Sequence, residues 1–227
     1  MSADSKKELY IVGLGPGARQ KMTQEAIDVV EACEVIAGYK VYIDLLKPYY
    51  PDKEYLVNGM RQEVERCRLA LETAAGGKKT ALVCSGDAGV YGMAGITLEL
   101  ATEFPEVDVH VIPGVTAALS GAALLGAPLG HDFTVISLSD LLTPWELIER
   151  RLAAAAEGDF AICLYNPSSH KRHDYLQKAC QILLQKKSGD TMKKGDILLE
   201  FDIDKIKADG YDVTTPIIIS NTEQFAK

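Results

Sequence analysis

The chain has 227 residues, of which 47% are hydrophobic, so it holds enough apolar material for one large or two modest packed domains. A formal charge of −8 excludes general nucleic-acid binding, because neutralising phosphates needs a net basic face and no Lys/Arg run supplies one. The polar opening MSADSKKE contains no signal-peptide core, no window approaches the roughly 20 apolar residues of a membrane span, and five singly scattered cysteines predict buried thiols in a cytoplasmic protein, with no metal site.

Residues 8–14 (ELYIVGL) read as a first strand that runs into a turn built from Gly13, Gly15, Pro16 and Gly17. The pattern GLGPG does not complete a dinucleotide-binding GxGxxG, since Ala18, Arg19 and Gln20 follow. On these residues alone it is either a plain strand-to-helix turn or a loop whose backbone lies against a ligand. Thr23 is placed to cap a helix over 24–32, with Ile27, Val29 and Val30 on its buried face. A second strand follows over 33–37, ended by Gly38, and 41–46 leads into a loop marked by Tyr49, Tyr50 and Pro51. The spacing of Val64, Cys67, Ala70, Leu71 and Ala74 predicts an amphipathic helix over 61–75, stopped by Gly76 and Gly77.

The chain is organised around 81–93, ALVCSGDAGVYGM. A short buried strand, 81–84, runs into Ser85, Gly86, Asp87, Ala88 and Gly89, and the apolar spacing from Val90 onward predicts a helix over about 93–102. A turn at the carboxyl end of a strand and the amino end of a helix is where open α/β sheets bind ligands. The string VDVHVIPGVT alternates, with Val107, Val109 and Val111 on one face and Asp108 and a solvated His110 on the other, and it breaks at Pro113 and Gly114. The order β-α-β-α-β-α-β argues for a mostly parallel sheet with right-handed crossovers. Beyond a helix of small residues over 116–126, a second α/β set follows: strand 133–138, helix 144–155, strand 160–165 and helix 174–184. The fold class is therefore α/β with two α/β domains, 1–114 and 115–227, and a linker near 113–116.

Four strings in order, GLGPG, SGDAGVYGMA, IPGVTAALSGAALLGAPLGHDFTVISLSD and LYNPSSHKR, resemble the tetrapyrrole methylases that use S-adenosylmethionine. The likeness covers about 9–191 and is greatest to the branch that methylates C17 of a corrin precursor, precorrin-3B or its cobalt counterpart. It implies two domains with the cofactor in a cleft between them, a homodimer, and methylation with ring contraction in cobalamin biosynthesis. Matching motif positions assigns Pro16, Gly86, Asp87, Val90, Thr116, Ala117, Tyr165 and Asn166 to the cofactor. Backbone hydrogen bonds from glycine turns, one hydroxyl and apolar walls suit such a ligand. Methyl transfer from a sulfonium asks mainly for positioning and desolvation, so no catalytic acid or base is assigned, although Asp87, Tyr91 and His131 are the titratable residues nearest the motifs. A tetrapyrrole carries many carboxylates, which directs attention to Arg19, Lys21, Lys40, Arg61 and the cluster His170, Lys171, Arg172 and His173.

Past Thr191 the methylase pattern fails. The tail, about 193–225, resembles the carboxyl end of a glucose-type IIA phosphocarrier domain without that domain's phosphorylated histidine, which makes phosphocarrier activity improbable and suggests a hybrid gene. Its segments 197–201 and 212–220 are expected to form strands, the second taking the place of the methylase's last strand in the second sheet. The alternative function is a cofactor- or tetrapyrrole-binding protein without turnover, the exchanged tail having removed residues that a productive substrate complex needs.

Overall fold

The computed structural model describes residues 7–59, 62–167, 173–186 and 217–219. The packing of the chain separates it into two units, one ending at Thr116 and the next beginning at Ala117.

The first unit runs β1 (Glu8–Gly13), α1 (Gln24–Ala32), β2 (Val35–Tyr39), α2 (Lys40–Leu46), β3 (Glu54–Asn58), α3 (Glu63–Ala75), β4 (Thr80–Cys84), α4 (Ala94–Ala101) and β5 (Asp108–Ile112). Its five strands are all parallel, in the order β3-β2-β4-β1-β5. Side chains alternate along β1, so Val12 joins Ala26, Ile27 and Val30 of α1 with Ile43 and Leu46 of α2, while Leu9 and Ile11 join Cys67, Ala70 and Leu71 of α3 with Ala94 of α4. Helices thus cover both faces, which explains why β1 and β4 read as unbroken apolar runs rather than alternating ones.

Three expectations change. β3 follows the loop marked by Tyr49, Tyr50 and Pro51, in a stretch where the sequence analysis assigns no strand. It is five residues long, it begins at a charged Glu54, and as an edge strand it is only half buried, so no apolar run marks it. On α3, Val64 is 55% exposed and Arg66 is buried in its stead. The Arg66 guanidinium donates to the Gly59 carbonyl at 2.8 Å and lies 5.8 Å from the centre of the Tyr39 ring. His110 is only half-exposed, with Asp108 at 3.3 Å on its open side. Tyr10 is its partner across β1 and β5, and the two rings stack with centroids 4.8 Å apart on the side where Ile112 joins the α1 and α2 core.

The second unit contains α5 (Ala117–Leu124), β6 (Phe133–Ser137), α6 (Trp145–Glu157), β7 (Ala161–Tyr165), α7 (Tyr175–Lys186) and β8 (Ile217–Ile219). β6 and β7 are parallel, and Ile136, Ile162 and Leu164 pack with Ile148 and Leu152 of α6 and Ala179 and Leu183 of α7. β8 adds antiparallel to β7, with Ile217 opposite Leu164 and Ile219 opposite Ile162. This strand lies within 212–220, where the sequence predicts that the tail extends the second sheet. The expected strand at 197–201 lies outside the described residues. Among the described residues, no helix is long and apolar enough to cross a membrane.

Candidate functional site

β1 lies between β4 and β5 in the first sheet, so the loops leaving the carboxyl ends of these three strands emerge side by side. Leu14 N–H donates to the Cys84 carbonyl at 2.9 Å, and Gly15 and Gly86 then exchange both backbone hydrogen bonds, each at 2.9 Å. The two parallel strands are thereby locked by a local antiparallel bridge. At this bridge Gly15 and Gly86 have φ of +62° and +65°, a region open to glycine without steric cost. The third loop closes against this bridge through Gly114. A Cβ there would lie 2.1 Å from the Gly86 carbonyl oxygen and 2.6 Å from that of Gly13, so backbone meets backbone with no room for a side chain.

Asp87 ties the loops further. Its Oδ1 accepts the N–H groups of Gly89 at 2.8 Å and Val90 at 3.1 Å, an Asx turn, while Oδ2 accepts the Gly114 N–H at 3.0 Å. Thr23 acts from the opposite side. Its Oγ1 accepts the Ala26 N–H at 3.1 Å as the cap of α1 and donates to the Pro113 carbonyl at 3.3 Å. Pro16 is half-buried between Gly15 and Gly17, the latter at φ +101°. The structure therefore brings Pro16, Gly86, Asp87, Val90 and Thr116 onto one interlocked set of loops in the first unit.

Ala117, Tyr165 and Asn166 belong to the second unit. Tyr165 ends β7, and its hydroxyl accepts the N–H of Ala118 in the first turn of α5 at 2.9 Å, which satisfies a donor that the helix itself leaves open. Asn166 follows with φ +51°, and its Nδ2 donates to Ser137 Oγ at 2.9 Å.

The neighbouring titratable groups look unlike a nucleophilic centre. Tyr91 is exposed at φ +51° and His131 is exposed. Burial pushes the Cys84 thiol, at the end of β4, up to about 11. Of the cations considered for a polycarboxylate, Arg19 pairs with Glu31 at 2.7 Å and Lys40 with Asp44, whereas His173 is exposed. Arg61, His170, Lys171 and Arg172 lie outside the described residues. Sequence reasoning missed Thr23 as part of this arrangement. Its capping role is legible locally, but its bond to Pro113 spans 90 residues.

A model of the family described as Tetrapyrrole (Corrin/Porphyrin) Methylases matches residues 8–193. The chain belongs to the tetrapyrrole methylases. It is 50% identical over 184 residues to a protein of Salmonella typhimurium named "Probable cobalt-factor III C(17)-methyltransferase", covering 81% of this chain and 76% of that one. Other relatives are longer, and the chain spans 35% of one from Priestia megaterium and 50% of one from Archaeoglobus fulgidus. Among solved structures, the methyltransferase CobJ superposes with a TM-score of 0.74 at 39% identity, covering 78% of this chain and 75% of that one. A uroporphyrin-III C-methyltransferase from Thermus thermophilus, complexed with S-adenosyl homocysteine, shares the fold at a TM-score of 0.57 and 23% identity, covering 79% and 77%. A second family model, the phosphoenolpyruvate-dependent sugar phosphotransferase system EIIA 1, matches residues 179–225 and overlaps the methylase match over 179–193.

Proposed function

We infer that this methylase transfers a methyl group from S-adenosylmethionine to C17 of a corrin-precursor tetrapyrrole, with ring contraction, in cobalamin biosynthesis. The observation that carries this reading is the interlocked glycine loops of the first unit, joined to 50% identity with a cobalt-factor III C17-methyltransferase. The residues present suit the cofactor. Gly86, half-buried at φ +65° and without a side chain, leaves main chain that a ligand can approach closely, while the Gly15–Gly86 hydrogen bonds hold that turn in place. Pro16, Gly86, Val90, Thr116, Ala117, Tyr165 and Asn166 are proposed to contact it, with Asp87 serving it through the loop that it holds.

When bound, the cofactor supplies a methyl carbon on a positively charged sulfur, an electrophile that needs no general base at sulfur. The work left to the chain is orientation and exclusion of water. Asp87 shapes its loop through the amides of Gly89, Val90 and Gly114. We extend the proposal to a cytoplasmic homodimer and to a tail of hybrid origin whose strand β8 completes the second sheet.

The test is incubation of the full chain with methyl-13C S-adenosylmethionine and either precorrin-3B or cobalt-factor III, followed by carbon NMR of the product. One labelled methyl at C17 is expected with one of the two substrates. Binding of S-adenosylhomocysteine with no labelled product from either substrate points instead to a binding protein without turnover.

A further inference from the structure

We propose that Thr23 and Asp87 are positioning residues that clamp a single peptide group, the one joining Pro113 to Gly114, and so set the course of the chain through Val115 and Thr116. The proposal rests on the reading that Thr116 serves a cofactor. Thr23 donates to the carbonyl of this peptide at 3.3 Å, and Asp87 accepts its N–H at 3.0 Å. A trans peptide is a rigid plane whose C=O and N–H point in opposite directions. Bonds to both ends fix its rotation, which neither bond alone would do. Rotation about ψ of Pro113 and φ of Gly114, which flank this peptide, is thereby restricted where the chain leaves for Val115 and Thr116.

The clamp also joins elements far apart in sequence. Thr23 caps α1 through the Ala26 N–H, and Asp87 holds the β4 loop through Gly89 and Val90. A shift in any of the three loops is therefore passed to the other two through the Pro113–Gly114 peptide. The close approach of Gly114 to the Gly86 carbonyl makes the same coupling by contact.

Three substitutions separate the roles. Thr23→Ser keeps a hydroxyl that both accepts and donates. Thr23→Asp keeps a good helix cap, since a carboxylate accepts the Ala26 N–H, but has no proton for the Pro113 carbonyl. Asp87→Asn keeps one acceptor oxygen and turns an N–H donor toward either the Gly114 N–H or the Asx-turn amides. In cofactor-free protein, amide hydrogen exchange at Gly114 is expected to quicken in Thr23→Asp and Asp87→Asn and to stay as in wild type in Thr23→Ser. Thr23→Asp should lower the melting temperature by only about 2–4 °C, the cap of α1 being kept and one hydrogen bond lost.

Titration with S-adenosylhomocysteine should show affinity weakened about three- to tenfold in Thr23→Asp and Asp87→Asn, the loss of one hydrogen bond. In turnover, KM for S-adenosylmethionine should rise by a similar factor while KM for the tetrapyrrole holds. Wild-type exchange at Gly114 in Thr23→Asp overturns the clamp, even if Asp87→Asn fails to fold. Weakened binding in Asp87→Asn with Gly114 exchange unchanged overturns it too, because Asp87 then touches the cofactor directly. Absence of S-adenosylhomocysteine binding by the wild type, with exchange altered in the variants, overturns the cofactor reading while leaving the clamp in place.

Discussion

Replacing Gly114 by alanine tests the interlocked loops most severely. The added Cβ would sit 2.1 Å from the Gly86 carbonyl oxygen, 2.6 Å from the Gly13 carbonyl oxygen and 2.7 Å from the Gly13 carbonyl carbon, all backbone atoms, where ordinary contact begins at 3.4 Å. No flexible side chain can yield, so the β5 loop must move away by about 1 Å or more. That movement also stretches the Asp87–Gly114 bond, now 3.0 Å. Overpacking costs about 1–3 kcal/mol and loss of a hydrogen bond to a charged group about 1.5–3 kcal/mol, which together give roughly 2.5–6 kcal/mol. For a chain of this size each kcal/mol lowers Tm by about 2–4 °C, so differential scanning fluorimetry should record a fall of at least about 5 °C, with weakened S-adenosylhomocysteine binding. Gly95, on the exposed face of α4 with nothing within 4 Å of a built Cβ, is the control. Gly95→Ala should stabilise by about 0.5–1 kcal/mol. A Gly114→Ala protein that melts and binds like wild type would refute the packing argument.

Other expectations follow from the same geometry. Tyr165→Phe removes the acceptor of the Ala118 N–H, leaving a buried donor unsatisfied at a cost of about 1–3 kcal/mol; urea denaturation should show the shift, and Tyr165→Phe with wild-type stability would contradict the capping role. Burial pushes the thiol of Cys33 up to about 12 and those of Cys84 and Cys163 up to about 11, so Ellman's reagent at pH 8 should leave these three unlabelled until denaturant is added. Because their folded values lie above the ordinary thiol value near 9, the stabilisation they confer is complete below about pH 9 and is lost as pH rises toward 11–12. Urea midpoints measured from pH 8 to 11 should fall in wild type more steeply than in Cys33→Ala. Removal of the Leu71 side chain, fully buried between α3 and β1, should cost about 2–5 kcal/mol in the Leu71→Ala protein, read by the same denaturation.

The parts of the fold that are legible in the sequence are those where local chemistry and tertiary position agree. β1 and β4 announce themselves because a central parallel strand is apolar on both faces, and the glycines that follow them mark turns because positive φ excludes most other residues there. β3 leaves no such mark because an edge strand buries little and EYLVN is short. Arg66 is hidden because an arginine is expected in water. Its place on the buried side of α3 depends on the Gly59 carbonyl and the Tyr39 ring, neither of which is visible from helical spacing. For His110, alternation alone cannot tell that β5 pairs with β1 and so sets its ring against that of Tyr10.

The candidate site divides in the same way. Glycines, Asp87 and Thr116 stand in recognisable strings, whereas the bonds from Asp87 to Gly114 and from Thr23 to Pro113 cross 27 and 90 residues and leave no local pattern. The resemblance assigns Tyr165 of LYNP to the cofactor, and its hydroxyl accepts the Ala118 N–H at the start of α5. Its effect on a ligand is therefore expected to be exerted in part through that helix.

A crystal structure of the full chain with S-adenosylhomocysteine tests the central claim most directly. The account predicts density for the ligand against the main chain of Gly86, Val90 and Thr116, with the Gly15–Gly86 bridge and the Asp87–Gly114 bond intact beneath it. Ligand density elsewhere on the protein, with these loops bare or their bridge broken, would contradict it.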